Sequence, residues 1–202
     1  MIIKVCGLRD SENIKAIDQL QPNWIGMIFY EKSARFIDTE NIPETNALKV
    51  GVFVNQAVDS IIKTAESYGL SYIQLHGDET ADTAALLYNK GYKVIKAFSV
   101  GDTINTALLK AFTPYCAYFL FDTKGKNYGG NGVKFNWNVL QSYDLSTPFI
   151  LSGGIQPQDV EAIKNINHPA YAGVDINSGF ELSKGMKNVD AVKQFIDGIR
   201  TR

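Results

Sequence analysis

A chain of 202 residues, 45% hydrophobic and 20% charged with a formal net charge of -1, can bury a substantial core and has no basic excess to draw nucleic acid, so a small neutral or anionic ligand suits it better. No apolar stretch reaches the roughly 18 to 20 residues that span a bilayer, and Met1 leads straight into Ile2-Ile3-Lys4-Val5 rather than a signal peptide, so a cytoplasmic protein is expected. Two cysteines, Cys6 and Cys116, are too few for a disulfide scaffold or a structural zinc site, and no compositional seam divides residues 1–202, which are expected to form one domain.

The first strand-like run is Ile2–Cys6, followed by a helix that Asp10 or Ser11 is placed to cap. Trp24–Tyr30 comes next, and then Asp38–Asn46, the weakest helical segment, short or irregular because Pro43 falls within it. Lys49–Val54 precedes a clear amphipathic stripe of Val58, Ile61, Ile62 and Ala65. Further runs follow at Tyr72–Leu75, Lys93–Phe98, Tyr118–Phe121, Phe149–Leu151 and Ala172–Ile176. Asn136 can cap the sixth helix, Pro157 sits in the first turn of the seventh, and Val189, Val192, Ile196 and Ile199 form the face of the last.

Eight near-continuous apolar runs suit parallel strands covered on both faces, and strand then helix repeated eight times admits an open sheet or a closed (β/α)8 TIM barrel. The residues after the strands decide. Cys6-Gly7, Lys32–Arg35, Asn55, His76-Gly77, Asp122-Thr123, Ser152-Gly153-Gly154 and Asn177-Ser178-Gly179 would ring one mouth of a barrel, where such folds carry their active sites. In an open sheet the outer members would stand too far apart to cooperate. An α/β fold of the TIM-barrel type is therefore expected, near the lower length limit of about 200 residues.

Gly153 and Gly154 after strand seven, with Ser178 and Gly179 after strand eight, occupy the usual phosphate position of such barrels, so a small phosphorylated substrate is expected; the alternative is plain turn glycines. Cys6 reads either as a reactive thiol at the mouth or as a small buried apolar residue. Cys116, at the start of strand six and so at the other end of the barrel, fits the second reading and cannot pair with Cys6. Asp122 ends an apolar run that would favour a protonated carboxyl, or else caps its own loop. Arg35 offers a planar fork for a carboxylate, or is a solvated loop charge. Gln74 and His76, two apart on a strand, point the same way, and His76 is a lone histidine at the mouth, too little for a metal site. His168, before Pro169, is expected on the far face and solvated.

The chain resembles the phosphoribosylanthranilate isomerase family of tryptophan biosynthesis nearly end to end. The likeness runs through Lys4-Val5-Cys6-Gly7-Leu8, Gly26–Tyr30 with Lys32–Arg35, Val50–Asn55, Gln74–Gly77, Phe121-Asp122-Thr123, Gly129-Gly130-Asn131-Gly132, Ser152-Gly153-Gly154 and Gly173-Val174-Asp175 with Ser178-Gly179. The resemblance implies a cofactor-free, metal-free Amadori rearrangement of N-(5-phosphoribosyl)anthranilate. In it Cys6 would be general base, Asp122 general acid, Arg35 the anchor for the anthranilate carboxylate, Asp175 a contact to substrate hydroxyl or amine groups, and Gln74 and His76 supporting members. Asp175, beside the phosphate loop, is expected to be an ionised acceptor. Ala34, Asn131 and Asn136 depart from the usual family residues, with Asn131 bearing on loop closure and rate. Rival readings are a metal-dependent pentose-phosphate epimerase, which needs several His and Asp ligands, an indole-glycerol-phosphate synthase, which needs lysine and glutamate on early strands, or a non-catalytic phosphate-binding barrel.

Overall fold

The structure, a computed structural model, describes residues 1–39, 41–123 and 134–201. Eight parallel strands close on themselves: β1 (Ile2–Cys6), β2 (Trp24–Ile28), β3 (Leu48–Phe53), β4 (Tyr72–Leu75), β5 (Val94–Val100), β6 (Cys116–Thr123), β7 (Phe149–Leu151) and β8 (Tyr171–Ile176), with β1 hydrogen-bonded to both β2 and β8. The helices α1 (Ser11–Asp18), α2 (Val58–Tyr68), α3 (Ala81–Asn89), α4 (Thr106–Lys110), α5 (Val160–Lys164) and α6 (Val189–Arg200) surround them. A two-stranded hairpin, β9 (Glu181–Ser183) with β10 (Met186–Lys187), is inserted between β8 and α6.

Strand alternation sorts the side chains into two cores. Outward residues such as Val5, Ile25, Ile73, Phe119 and Val174 pack under the helices, whereas Trp24, Val50, Tyr72, Ile95, Leu120 and Ile150 fill the barrel. Trp24 meets Tyr72 and Tyr118 at ring-centroid distances of 4.7 and 5.1 Å, plugging the end where the strands begin. Polar interior residues are thereby confined to the end where the strands finish.

Asp10, of the two residues placed to cap α1, does so by accepting from Asn13 N at 2.8 Å. Two expected helices differ. The described part of Asp38–Asn46 forms no helix: Pro43 supplies no N–H, and the segment is tied instead to buried Asp18, whose carboxylate accepts from Asn46 N, Asn46 Nδ2 and Ala47 N. The sixth is a 3-10 segment, Trp137–Ser142, with Asn136 accepting from Asn138 N at 3.1 Å. Cys116 opens β6 and is buried, and both cysteines are free.

Candidate active site

A cavity of about 580 Å³ occupies the barrel mouth. Cys6, Arg35, Gln74, His76, Asp122 and Asp175 all line it, together with Gly153, Gly154 and Ser178. Gly179 stands behind: it packs against Ile155 O and Gln156, joining the loops after β7 and β8 without lining the cavity. Gly129-Gly130-Asn131-Gly132 lies outside the described residues. Among the described residues no group of three or more His, Cys, Asp or Glu is arranged to hold a metal ion.

Cys6 ends β1 with its side chain inward, and Gly26 on β2 makes room for it, since a Cβ there would lie 2.6 Å from Sγ. One inward position below, Lys4 is fully buried inside the barrel, where Nζ donates to Asp175 Oδ2 at 3.1 Å. Burial pushes the Cys6 thiol up; the Lys4 ammonium opposes this, Asp175 reinforces it, and the net direction is upward. Burial alone would lower Lys4, but Asp175 and Cys6 more than offset it, so the ammonium is favoured. Lys4 was not singled out from sequence, although Ile2-x-Lys4-x-Cys6 alternation on a strand covered on both faces puts it on the same face as Cys6. Lys4→Met should cost about 3–5 kcal/mol, the usual penalty for stranding one partner of a buried pair. Urea unfolding measures this directly, and a loss below about 1 kcal/mol would show the pair to be dispensable.

Asp122 is buried at the end of β6 with polar groups in reach of its carboxylate. Its Oδ1 accepts from Thr123 N at 2.8 Å and its Oδ2 lies 3.3 Å from His76 Nε2. Gln74 Nε2 donates to His76 Nδ1 at 2.8 Å, which leaves the ring proton on Nε2, facing Asp122. Gly153, at φ +89°, lets the β7 loop approach this carboxylate: a Cβ on it would lie 2.8 Å from Asp122 Oδ1 and closer still to Thr123.

Asp175 was expected in a polar setting beside the phosphate loop; it is instead buried and paired with the Lys4 ammonium. It is the more enclosed acid, and burial pushes its carboxyl up against the opposing pull of Lys4. Ser152 Oγ approaches Oδ2 at 3.5 Å. Asp175 Oδ1 and Gln74 Oε1 are buried acceptors without a protein partner, both on cavity-lining residues.

Arg35 reaches the mouth from the loop after β2, its stem crossing Gly7, where a Cβ would lie 2.7 Å from Arg35 Cδ. Its guanidinium is not a solvated loop charge. Glu181 of β9 takes Nε at 2.8 Å and Nη2 at 2.6 Å, and Lys187 of β10 in turn donates to Glu181 Oε1 at 2.7 Å. Neither Glu181 nor Lys187 was found from sequence, because their partner Arg35 lies 146 residues before Glu181 and the hairpin carries no recognisable motif.

The family model described as N-(5'phosphoribosyl)anthranilate (PRA) isomerase matches residues 3–198. The chain belongs to that family. Its relatives include the N-(5'-phosphoribosyl)anthranilate isomerases of Parabacteroides distasonis, 45% identical over 98% of this chain and 93% of the relative, and of Phocaeicola vulgatus, 43% identical over 100% and 99%. The crystal structure of phosphoribosyl anthranilate isomerase from Thermotoga maritima superposes with a TM-score of 0.82 at 30% identity, covering 99% of both chains. A further phosphoribosyl anthranilate isomerase, solved in complex with reduced 1-(o-carboxyphenylamino)-1-deoxyribulose 5-phosphate, gives 0.77 at 26% identity over 99% of both. The family is one of isomerases of tryptophan biosynthesis built on TIM barrels, and this closed barrel is that fold.

Proposed function

We propose that, in the phosphoribosylanthranilate isomerase reaction, Cys6 is the general base and Asp122 the general acid. The observation that carries this reading is that both line one cavity, at the ends of β1 and β6. Asp122 protonates the ribose ring oxygen of N-(5-phosphoribosyl)anthranilate, and the ring opens to an iminium whose C2 proton is acidic. Cys6 removes that proton, and the resulting enol-amine tautomerises to the ketone product. The substrate's own nitrogen is the electron sink, so the step needs no further electrophile. Residues 1–202 act as one catalytic domain, in the cytoplasm.

The remaining residues bind. Arg35 holds the anthranilate carboxylate through a charge-assisted fork. Gly153, Gly154 and Ser178 hold the phosphate, with Gly179 bracing their two loops together. Asp175 Oδ1 and Gln74 Oε1 accept from substrate hydroxyl or amine groups, which relieves the cost of burying them unpaired. His76 orients Asp122 through Nε2.

The pH dependence tests the pair. In the wild type, thiolate with carboxylic acid and thiol with carboxylate differ only in where one proton sits, so raising the pH removes the acid's proton as it creates the base. Asp122→Asn removes that compensation. Its residual kcat/KM should rise about tenfold per pH unit, and continue rising beyond the ordinary thiol value of about 8.5 because burial holds the Cys6 thiol up. Residual activity that is flat from neutral pH upward would exclude Cys6 as the base.

A further inference from the structure

We propose that Glu181 is a positioning residue for Arg35, setting which edge of the guanidinium meets the substrate carboxylate; this rests on the reading of Arg35 as the carboxylate anchor. A guanidinium has five N–H donors, and Glu181 engages the Nε and Nη2 edge side-on. Three donors remain, two on Nη1 and one on Nη2. One of those on Nη1 and the one on Nη2 lie along the end-on edge, which matches a second carboxylate. Arg35 lines the cavity and Glu181 does not, so the acid backs the arginine from outside the site.

Charge supports the same arrangement. An Arg35–Glu181 pair alone is neutral and would attract an anion weakly. Lys187 corrects this: its three N–H groups meet three acceptors, Glu181 Oε1 at 2.7 Å, Asn177 Oδ1 at 2.7 Å and Asn177 O at 3.3 Å, as an ammonium requires. Burial would raise Glu181, but Arg35 and Lys187 hold its carboxyl below the usual range, so it stays ionised. Burial lowers Lys187 and Glu181 opposes this; with its three acceptors holding it as an ammonium, one arginine, one glutamate and one lysine leave a single net positive charge for a single carboxylate.

The support is itself fixed. Gly185 N donates to Glu181 Oε1 at 3.1 Å, and the Lys187 backbone is clamped by Asn13, which accepts from N at 2.8 Å and donates to O at 3.0 Å. With Gly7 allowing the stem to lie close, the guanidinium is held before any ligand arrives, so less side-chain freedom is lost on binding.

Steady-state kinetics of Glu181→Gln, Arg35→Ala and the double variant test this. Glu181→Gln should raise KM about 10-fold with a much smaller fall in kcat, and should add nothing to KM when Arg35 is already alanine. The weakening should be selective: a reduced product analogue bearing the ring carboxylate should lose affinity for Glu181→Gln, and the same analogue without it should bind variant and wild type alike. Equal loss for both analogues, or a KM penalty that persists in the Arg35→Ala background, would mean that Glu181 is only structural and overturn the inference. An unchanged KM in Arg35→Ala would instead sink the anchor reading beneath it. Should Glu181→Gln fold poorly because Lys187 is stranded, Glu181→Gln/Lys187→Met removes both charges and carries the same expectations.

Discussion

Cys6→Ala should remove nearly all turnover while substrate still binds. General-base catalysis is worth about 10²–10⁴ in rate, and among the cavity-lining residues the thiol is where the strand-one end, the Lys4 ammonium and the room left by Gly26 converge. Alanine removes the proton acceptor and leaves Arg35, Asp175 and the phosphate loops in place, so the loss should appear in kcat rather than KM. Cys116→Ala is the control. Burial pushes that thiol up to about 12, and it opens β6 at the far end of the barrel from the mouth, so the variant should lose some stability and keep its kcat. Near-normal turnover in Cys6→Ala would end the assignment.

The second large effect separates the two acids. Asp122→Asn keeps the acceptor for Thr123 N but cannot deliver a proton, so kcat should fall by about 10²–10⁴ with little change in KM. Asp175→Asn should act mainly on binding and on stability, since Asp175 Oδ2 is the partner of buried Lys4 and Oδ1 is an unpaired acceptor in the cavity wall. The strand pattern argued this ranking from polarity, but both acids are buried and both have polar partners, so polarity does not separate them. The ranking stands on partners instead. Asp175, paired as a carboxylate with the Lys4 ammonium, has no proton to give, whereas the carboxylate left when Asp122 gives up its proton can accept a hydrogen bond from His76 Nε2–H. Measuring kcat and KM for both variants decides, and a larger kcat loss in Asp175→Asn would exchange their roles.

Most of the fold was legible because its strands are buried on both faces and therefore read as unbroken apolar runs. Ile2–Cys6, Tyr72–Leu75 and Phe149–Leu151 match the observed strands end for end. Closure was legible only indirectly, through polar residues that made sense as one ring. The helix expected near Pro43 is absent among the described residues: Pro43 offers no N–H, and the end of the segment is held by a distant carboxylate, Asp18, which accepts from Asn46 N and Ala47 N. That the candidate residues line one cavity was readable for a similar reason: they sit at or just after strand ends, where any barrel puts its mouth. What was hidden is the second set of charges. Glu181 meets Arg35, and Lys187 meets Glu181, only after the chain has gone round the barrel, and Lys4 looks like a surface residue until its alternation with Cys6 is followed.

The Lys4–Asp175 pair joins β1 to β8, groups 171 residues apart in the chain. It is therefore also a seam lock for biosynthesis and folding. A nascent chain that has formed its early strands but not the last has an ammonium aimed into the interior with no counter-charge, so a seven-stranded barrel closed prematurely on itself would bury an unmatched ion. The loop-closure cost of bringing such distant partners together falls due only once, when the final strand docks. The same contact thus penalises every incomplete ring, and ties the surroundings of the Cys6 thiol to the completion of the chain's circuit.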